Sequence, residues 1–280
     1  FVVYGKPAIV MAIDKYVSVS VTRIDEPILH VKSESLNVEG VYRGDTFIQV
    51  KGDVDGDVVF KPVKVCVDKL KLKAGYNGGL KITIKSEIPV AAGLGSSAAL
   101  SVAVAAATSK LLGVKMDKNE INTYAFESEK VIHGSPSGID NTIATFGGIL
   151  RYQREHQPSF IRVKPAKPLP IVIGNTGVSR STGKLVAMVR ELYMRHRNIL
   201  NMLMEAYEAL VEDALKAIEK GDFHSLGELM NINHGMLWSI GVSSYHLDKL
   251  VHTALKAGAL GAKLTGAGGG GCMIALTTFE

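Results

Sequence analysis

Cysteine is nearly absent: Cys66 and Cys272 are the only two in 280 residues. At most one disulfide could form, and neither cysteine stands in a metal-ligand spacing. A disulfide-stapled scaffold and a zinc module are excluded, and a reduced, cytoplasmic setting is expected. No apolar run reaches the ~18 residues of a membrane-spanning helix, so no membrane association is expected; the longest run, Ala98–Ala107, has the length of a buried helix. No leader pattern is legible at Phe1. Glutamine occurs only three times, at Gln49, Gln153 and Gln157, which fits thermal adaptation and compositional drift alike. Proline is not in surplus, and no Gly-X-Y period or internal repeat exists, so collagen-like and low-complexity readings fail. Strong charge of one sign is missing too. The 32 basic and 27 acidic residues leave a net +5, which suits an anionic small molecule but is too small and too scattered to argue for nucleic acid.

What remains is ordinary globular chemistry, 46% apolar and 21% charged, with the length of one large or two modest domains. Glycine is the surplus residue, 29 in all, against a usual share of about 7%. With no repeat to absorb them, these glycines must serve local backbone geometry.

Phe1–Tyr4 reads as an apolar strand. Ile9–Ile24 reads as one long strand, with clear alternation from Tyr16 to Val21, and Ile28–Val31 and Thr46–Val50 as shorter ones. Apolar periodicity predicts a helix over Lys61–Leu72, a strand over Leu80–Ser86, an Ala-rich helix ending near Leu112, and another helix over Lys118–Ile132. Thr142–Tyr152 reads as helix, turn at Gly147-Gly148, then strand. Polar, Pro-containing residues 155–168 read as a linker, followed by a strand at Ile171–Ile173. Thr182–Lys220 is helical, with one break expected near Met204, and Phe223–Ile240 and Ser244–Ala257 are two more helices. Lys263–Thr265 and Cys272–Thr277 are strands around a glycine run. Strands come first and helices dominate later, so the class is α+β.

Three segments carry chemistry. Pro89–Ala99 holds Gly93, Leu94, Gly95, Ser96, Ser97 and Ala98 at the opening of the Ala-rich helix. A glycine turn lets several backbone N–H groups converge where the helix dipole favours an anion, and a serine hydroxyl there can reach a phosphate or a magnesium ion. It is not a P-loop, whose nearest match, Gly177–Lys184, has one residue too many and no hydroxyl after the lysine. A dinucleotide fingerprint also fails, because Leu112–Asn119 offers no strand ending in an acidic residue. The second segment pairs Glu129, late in a helix, with Asp140 after Gly134–Ile139. A carboxylate at that helix start can orient or deprotonate a hydroxyl, and Glu129 could hold magnesium. Glu127 sits about 200° around the same helix and cannot share that site. The third segment, Gly266–Gly271, has five glycines in six residues around Ala267. That is too costly in conformational entropy for a plain turn, so backbone packed against a ligand or another loop is expected.

These segments, in this order, resemble the GHMP kinases, the family of galacto-, homoserine, mevalonate and phosphomevalonate kinases. The residues that carry the resemblance are Val2–Ala8, Gly93–Ala99, Glu129 with Val131–Gly134, Ser135–Asn141, Asn175-Thr176, Arg180–Thr182 and Lys263–Cys272. The His133–Asp140 form favours mevalonate as acceptor over homoserine or galactose. The resemblance implies a ribosomal-S5-like N-terminal domain, placed at 1–165, and a ferredoxin-like C-terminal domain, placed at 166–280, with ATP and acceptor between them. It implies that Gly93–Ala98 wraps the ATP phosphates, that Ser97 (ahead of Ser96) and Glu129 bind Mg2+, and that Asp140 is the catalytic carboxylate. Ile132, Thr182, Gly266 and Ala267 would line the acceptor. The family's catalytic Lys and a Gly-Glu-His segment belong just before the position of Phe1, so the chain is expected to be trimmed at both ends. The implied activity is transfer of the γ-phosphoryl group of ATP to the 5-hydroxyl of mevalonate, in isoprenoid precursor synthesis. Kinases of phosphomevalonate, homoserine or a sugar, and a non-catalytic sensor of the same fold, are the alternatives. A homodimer is compatible with all of them.

Overall fold

The computed structural model describes residues 1–89, 93–133, 136–154, 159–178 and 182–278, apart from the side chains of Ile132 and His133. The chain gathers into two compact units. An inserted unit comprises Ala12–Pro89 and Gly95–Gly147. A terminal unit comprises Phe1–Met11, Val90–Leu94 and Gly148–Glu280. The expected boundary at 165 falls within the terminal unit.

The inserted unit is a five-stranded sheet backed by helices. Its strands are β2 (Val17–Ile24), β3 (Leu29–Ser33), β4 (Val38–Arg43), β5 (Thr46–Lys51) and β6 (Gly79–Ser86), following β1 (Ala8–Met11) of the terminal unit. Their spatial order is β2-β6-β3-β4-β5, antiparallel except for the parallel β3–β6 pair. The helices are α1 (Gly56–Ala74), α2 (Ser96–Leu111), α3 (Lys118–His133) and α4 (Ile139–Phe146). Alternation does the sorting in β3, where Leu29, Val31 and Ser33 are buried and His30 and Lys32 are not. Val31, Phe60, Leu70, Leu80, Ile82 and Val104 form the centre of the core.

Several expectations need correction here. The single strand at Ile9–Ile24 is two strands, β1 and β2, separated by a tight turn in which the Lys15 N–H donates to the Ile13 carbonyl, 2.9 Å. The exposed charged pair Asp14-Lys15 sits in that turn. Strand β4 was hidden by Gly40, which reads as a turn signal. A Cβ at Gly40 would lie 2.2 Å from the Phe47 ring, so the glycine makes room for an aromatic residue of β5. Helix α1 begins five residues before Lys61, because Asp55 caps it by accepting from the N–H groups of Asp57 and Val58, at 3.0 and 3.3 Å.

The terminal unit holds two three-stranded antiparallel sheets. One has the order β1-β7-β8, with β7 (Ile149–Gln153) and β8 (Ser159–Val163). The other has the order β10-β11-β9, with β9 (Ile171–Asn175), β10 (Gly261–Leu264) and β11 (Cys272–Leu276). Helices α5 (Thr182–Arg195), α6 (Arg197–Lys220), α7 (Phe223–Ser239) and α8 (Tyr245–Lys256) complete it. Tyr207, Val211, Ile218, Leu226 and Leu276 belong to one buried cluster, and Leu200, Leu247, Val251 and Leu264 to another.

Phe1–Tyr4 is not a strand: Val2–Tyr4 makes one 3-10 turn, and the Phe1 ring stacks on Tyr207 at 4.0 Å. Within the expected linker, Ser159–Val163 forms β8, an edge strand with mostly exposed side chains; residues 155–158 lie outside the described residues. The break in the long helical stretch is at His196 (φ −128°), not at Met204, which is buried inside α6. The α+β expectation holds in both units.

Phe60 is fully buried at the centre of the inserted unit. Phe60→Ala is expected to lower unfolding stability by about 3–5 kcal/mol, measured by denaturant titration.

Candidate active site

Helix α2 opens on Gly95, whose φ of 72° is left-handed and which supplies no side-chain cap. The first N–H groups of the helix, on Ser96, Ser97 and Ala98, are the donors such an end leaves without intrahelical partners. Gly93 is also left-handed, at φ 76°. Val90–Ala92 lie outside the described residues.

Glu129 is 4% exposed, in the last turns of α3. Its Oε1 accepts from Ser97 Oγ at 2.7 Å and from Ser101 Oγ at 3.1 Å. A carboxylate taken out of water is tolerated only when such donors answer it. Ser97 and Ser101 stand four residues apart on one face of α2, so one oxygen of Glu129 pins the first turns of α2 to α3. Glu127, two residues earlier, faces elsewhere and pairs with Lys69 (3.3 Å) and Lys130 (2.5 Å), as the helical spacing requires.

Asp140 lies in the first turn of α4, after Gly138 (φ 82°). The Asp140 side chain is exposed and reaches the opening of α2: a Cβ at Gly95 would lie 3.6 Å from Asp140 Cβ and 3.7 Å from its Oδ1. The inserted unit thus brings together the uncapped end of α2, the Ser97–Glu129 pair and a carboxylate at Gly95.

No group of three or more His, Cys, Asp and Glu residues that could hold a metal occurs among the described residues. Magnesium needs no such cage. It takes one or two carboxylates together with phosphate oxygens and water. Glu129 Oε1 and Ser97 Oγ, hard oxygens 2.7 Å apart, fit that donor chemistry.

Of the other expected residues, Thr182, Gly266 and Ala267 lie in the terminal unit and Ile132 in the inserted one. Thr182 starts α5 and is exposed, as is Gly266 (φ 72°), with half-buried Ala267 beside it. Ile132 lies in the last turn of α3, its side chain outside the described residues along with Gly134, Ser135, Arg180 and Ser181. The glycine run packs against other loops of its own unit. A Cβ at Gly268 would stand 2.0 Å from the Val242 carbonyl oxygen, and one at Gly270 2.6 Å from that of Val178. The Gly269 N–H donates to the Val242 carbonyl at 2.7 Å and the Gly271 N–H to the Val178 carbonyl at 3.0 Å. Thr176 Oγ1 donates to the Gly271 carbonyl at 2.8 Å. Ser101 escaped the sequence reading, although its four-residue spacing from Ser97 was the available signal.

Residues 61–148 match the GHMP kinases N terminal domain and residues 214–280 the GHMP kinases C terminal domain. The mevalonate kinase of Pyrococcus furiosus is 42% identical over 287 aligned residues, covering 98% of this chain and 84% of that protein. The crystal structure of L. major mevalonate kinase in complex with R-mevalonate has a TM-score of 0.83 at 31% identity, covering 100% of this chain and 83% of that one. The Methanococcus jannaschii mevalonate kinase structure gives 0.81 at 26%, covering 99% and 86%. These matches show the class: the chain belongs to the GHMP kinase family. The relatives compared above within that family are mevalonate kinases.

Beside the glycine run, burial pushes the Lys263 ammonium down to about 8, while its Nζ donates to the Leu264 carbonyl at 2.8 Å. A lowered pKa in the fold means that this group adds stability as pH rises from about 8 to 10.5, and that the gain is lost as pH falls back through 8. Chemical unfolding at pH 7.5 and 10 should show a larger gain for the parent than for Lys263→Met.

Proposed function

We propose that this chain is an ATP-dependent enzyme that transfers the γ-phosphoryl group to the 5-hydroxyl of mevalonate. The observation that carries the reading is the buried Glu129–Ser97–Ser101 triad at a helix opening that abuts Asp140. Mevalonate as the acceptor is supported by relatives that carry that activity in their names across nearly the whole chain.

Phosphoryl transfer of this kind needs positioning and charge neutralisation more than covalent chemistry. The N–H groups of Gly93–Ala98 bind the ATP phosphates, which the dipole of α2 also attracts. Ser97 and Glu129 hold Mg2+, which when bound neutralises phosphate charge. The Asp140 carboxylate accepts the hydroxyl proton or aligns the hydroxyl for attack along the bond to the leaving group. The Ile132 backbone, in the same unit as Asp140, lines the acceptor. The cytoplasm is the proposed setting, supported by the scarcity of cysteine, two in 280 residues.

A coupled ADP-release assay over mevalonate, phosphomevalonate, homoserine and galactose should show turnover with mevalonate foremost; a preference for another of the four would reassign the acceptor. Asp140→Asn should fold, bind ATP and lose most turnover, whereas near-parental turnover would remove Asp140 from the chemistry. Glu129→Gln should shift the Mg2+ titration to higher concentration, and an unchanged titration would take Glu129 out of the site.

A further inference from the structure

Asn122 stands seven residues before Glu129 on α3, which at about 100° per residue returns it to the same face roughly two turns away. The Glu129 end of that face grips α2. The Asn122 end grips α4. Asn141 Nδ2 donates to Asn122 Oδ1 at 2.6 Å and lies 3.4 Å from the Asn122 carbonyl oxygen. Asn122 Nδ2 donates to Thr142 Oγ1 at 3.5 Å, and Thr142 Oγ1 donates to the Gly138 carbonyl at 2.6 Å. Asn141 and Thr142 are each 3% exposed. Asp140 lies between Gly138 and Asn141, so the direction in which it leaves the backbone is set from both sides by this network.

An amide–amide bridge is an uneconomical way to join two helices if packing is all that is required, because an apolar pair would do so without partners to satisfy. What it adds is direction: one donor and one acceptor fix the rotation of α4 about its own axis. That rotation decides where the Asp140 carboxylate points.

We propose that Asn122 is a positioning residue for phosphoryl transfer, its amide locking Asn141 and so holding the Asp140 carboxylate in register with the opening of α2. The inference rests on Asp140 as the carboxylate facing the acceptor. Helix α3 then serves as one jig for both working parts, α2 through Glu129 and α4 through Asn122. Small misplacements of a reacting group are costly in rate and need not be costly in stability.

The test uses Asn122→Leu, which keeps the branched shape and removes the acceptor, and Asn122→Asp, which keeps an oxygen for Asn141 Nδ2. Asn122→Ala stands in if the leucine variant fails to fold. Melting temperature, kcat and the KM values for both substrates are measured on the full chain. The expected result is a fall in kcat of about tenfold or more for the leucine or alanine variant, with each KM within about threefold of the parent, and a kcat within about fivefold for Asn122→Asp. Adding Asn122→Leu to Asp140→Asn should lower kcat no further. A parental kcat in the leucine variant, an equal loss in Asn122→Asp, or an additive loss beside Asp140→Asn each overturns the proposal. Near-parental turnover in Asp140→Asn alone overturns the reading of Asp140 instead, so the two failures are distinguishable.

Discussion

A carboxylate buried to 4% exposure has to be answered by donors, and the answer to Glu129 organises the inserted unit. Ser97 and Ser101 supply it, and in doing so fix where α2 begins relative to α3. The opening of α2 has no side-chain cap, so one satisfied charge places the helix end proposed to take the phosphates. The same helix α3 reaches α4 through Asn122 and Asn141. Asp140 and the opening of α2 thereby share a single frame of reference. In-line transfer needs the group that neutralises phosphate and the group that addresses the alcohol to be mutually fixed, and in the proposed reading two polar bridges on one helix face do so.

The surplus glycines serve close approach in several distinct ways. Gly40 leaves space for the Phe47 ring within the sheet. Gly95 has a left-handed backbone beside Asp140, so a side chain there would be strained. Gly268 and Gly270 let the run after β10 lie directly on the carbonyls of Val242 and Val178. The run is thus held by hydrogen bonds from its own unit, and the entropy its glycines give up is offset by contacts only glycine permits.

Much of the site was legible because its signals are local. The glycine-opened helix, the placement of Asp140 at a helix start and the separation of Glu127 from Glu129 all follow from spacing along one or two turns. The helices α2, α3, α7 and α8 were legible for the same reason. What escaped depends on partners distant in sequence. Gly40 reads as a turn until Phe47 is opposite it, and β8 reads as a linker until β7 offers an edge. The turn at Lys15 separates an apolar run, β1, from the alternating β2, and the two read as one strand. Ser101 and Asn122 look like ordinary polar residues, and their contacts appear only when Glu129 and Asn141 are brought beside them.

The central claim is that the opening of α2 binds the phosphates while Asp140 faces the alcohol. A crystal structure with mevalonate and a non-hydrolysable ATP analogue tests it most directly. The β- and γ-phosphate oxygens should lie about 2.7–3.2 Å from backbone nitrogens of Ser96–Ala98. The 5-hydroxyl should lie about 2.6–3.2 Å from an Asp140 carboxylate oxygen. Phosphates seated away from that helix opening, or a hydroxyl turned to a carboxylate other than Asp140, would contradict the account.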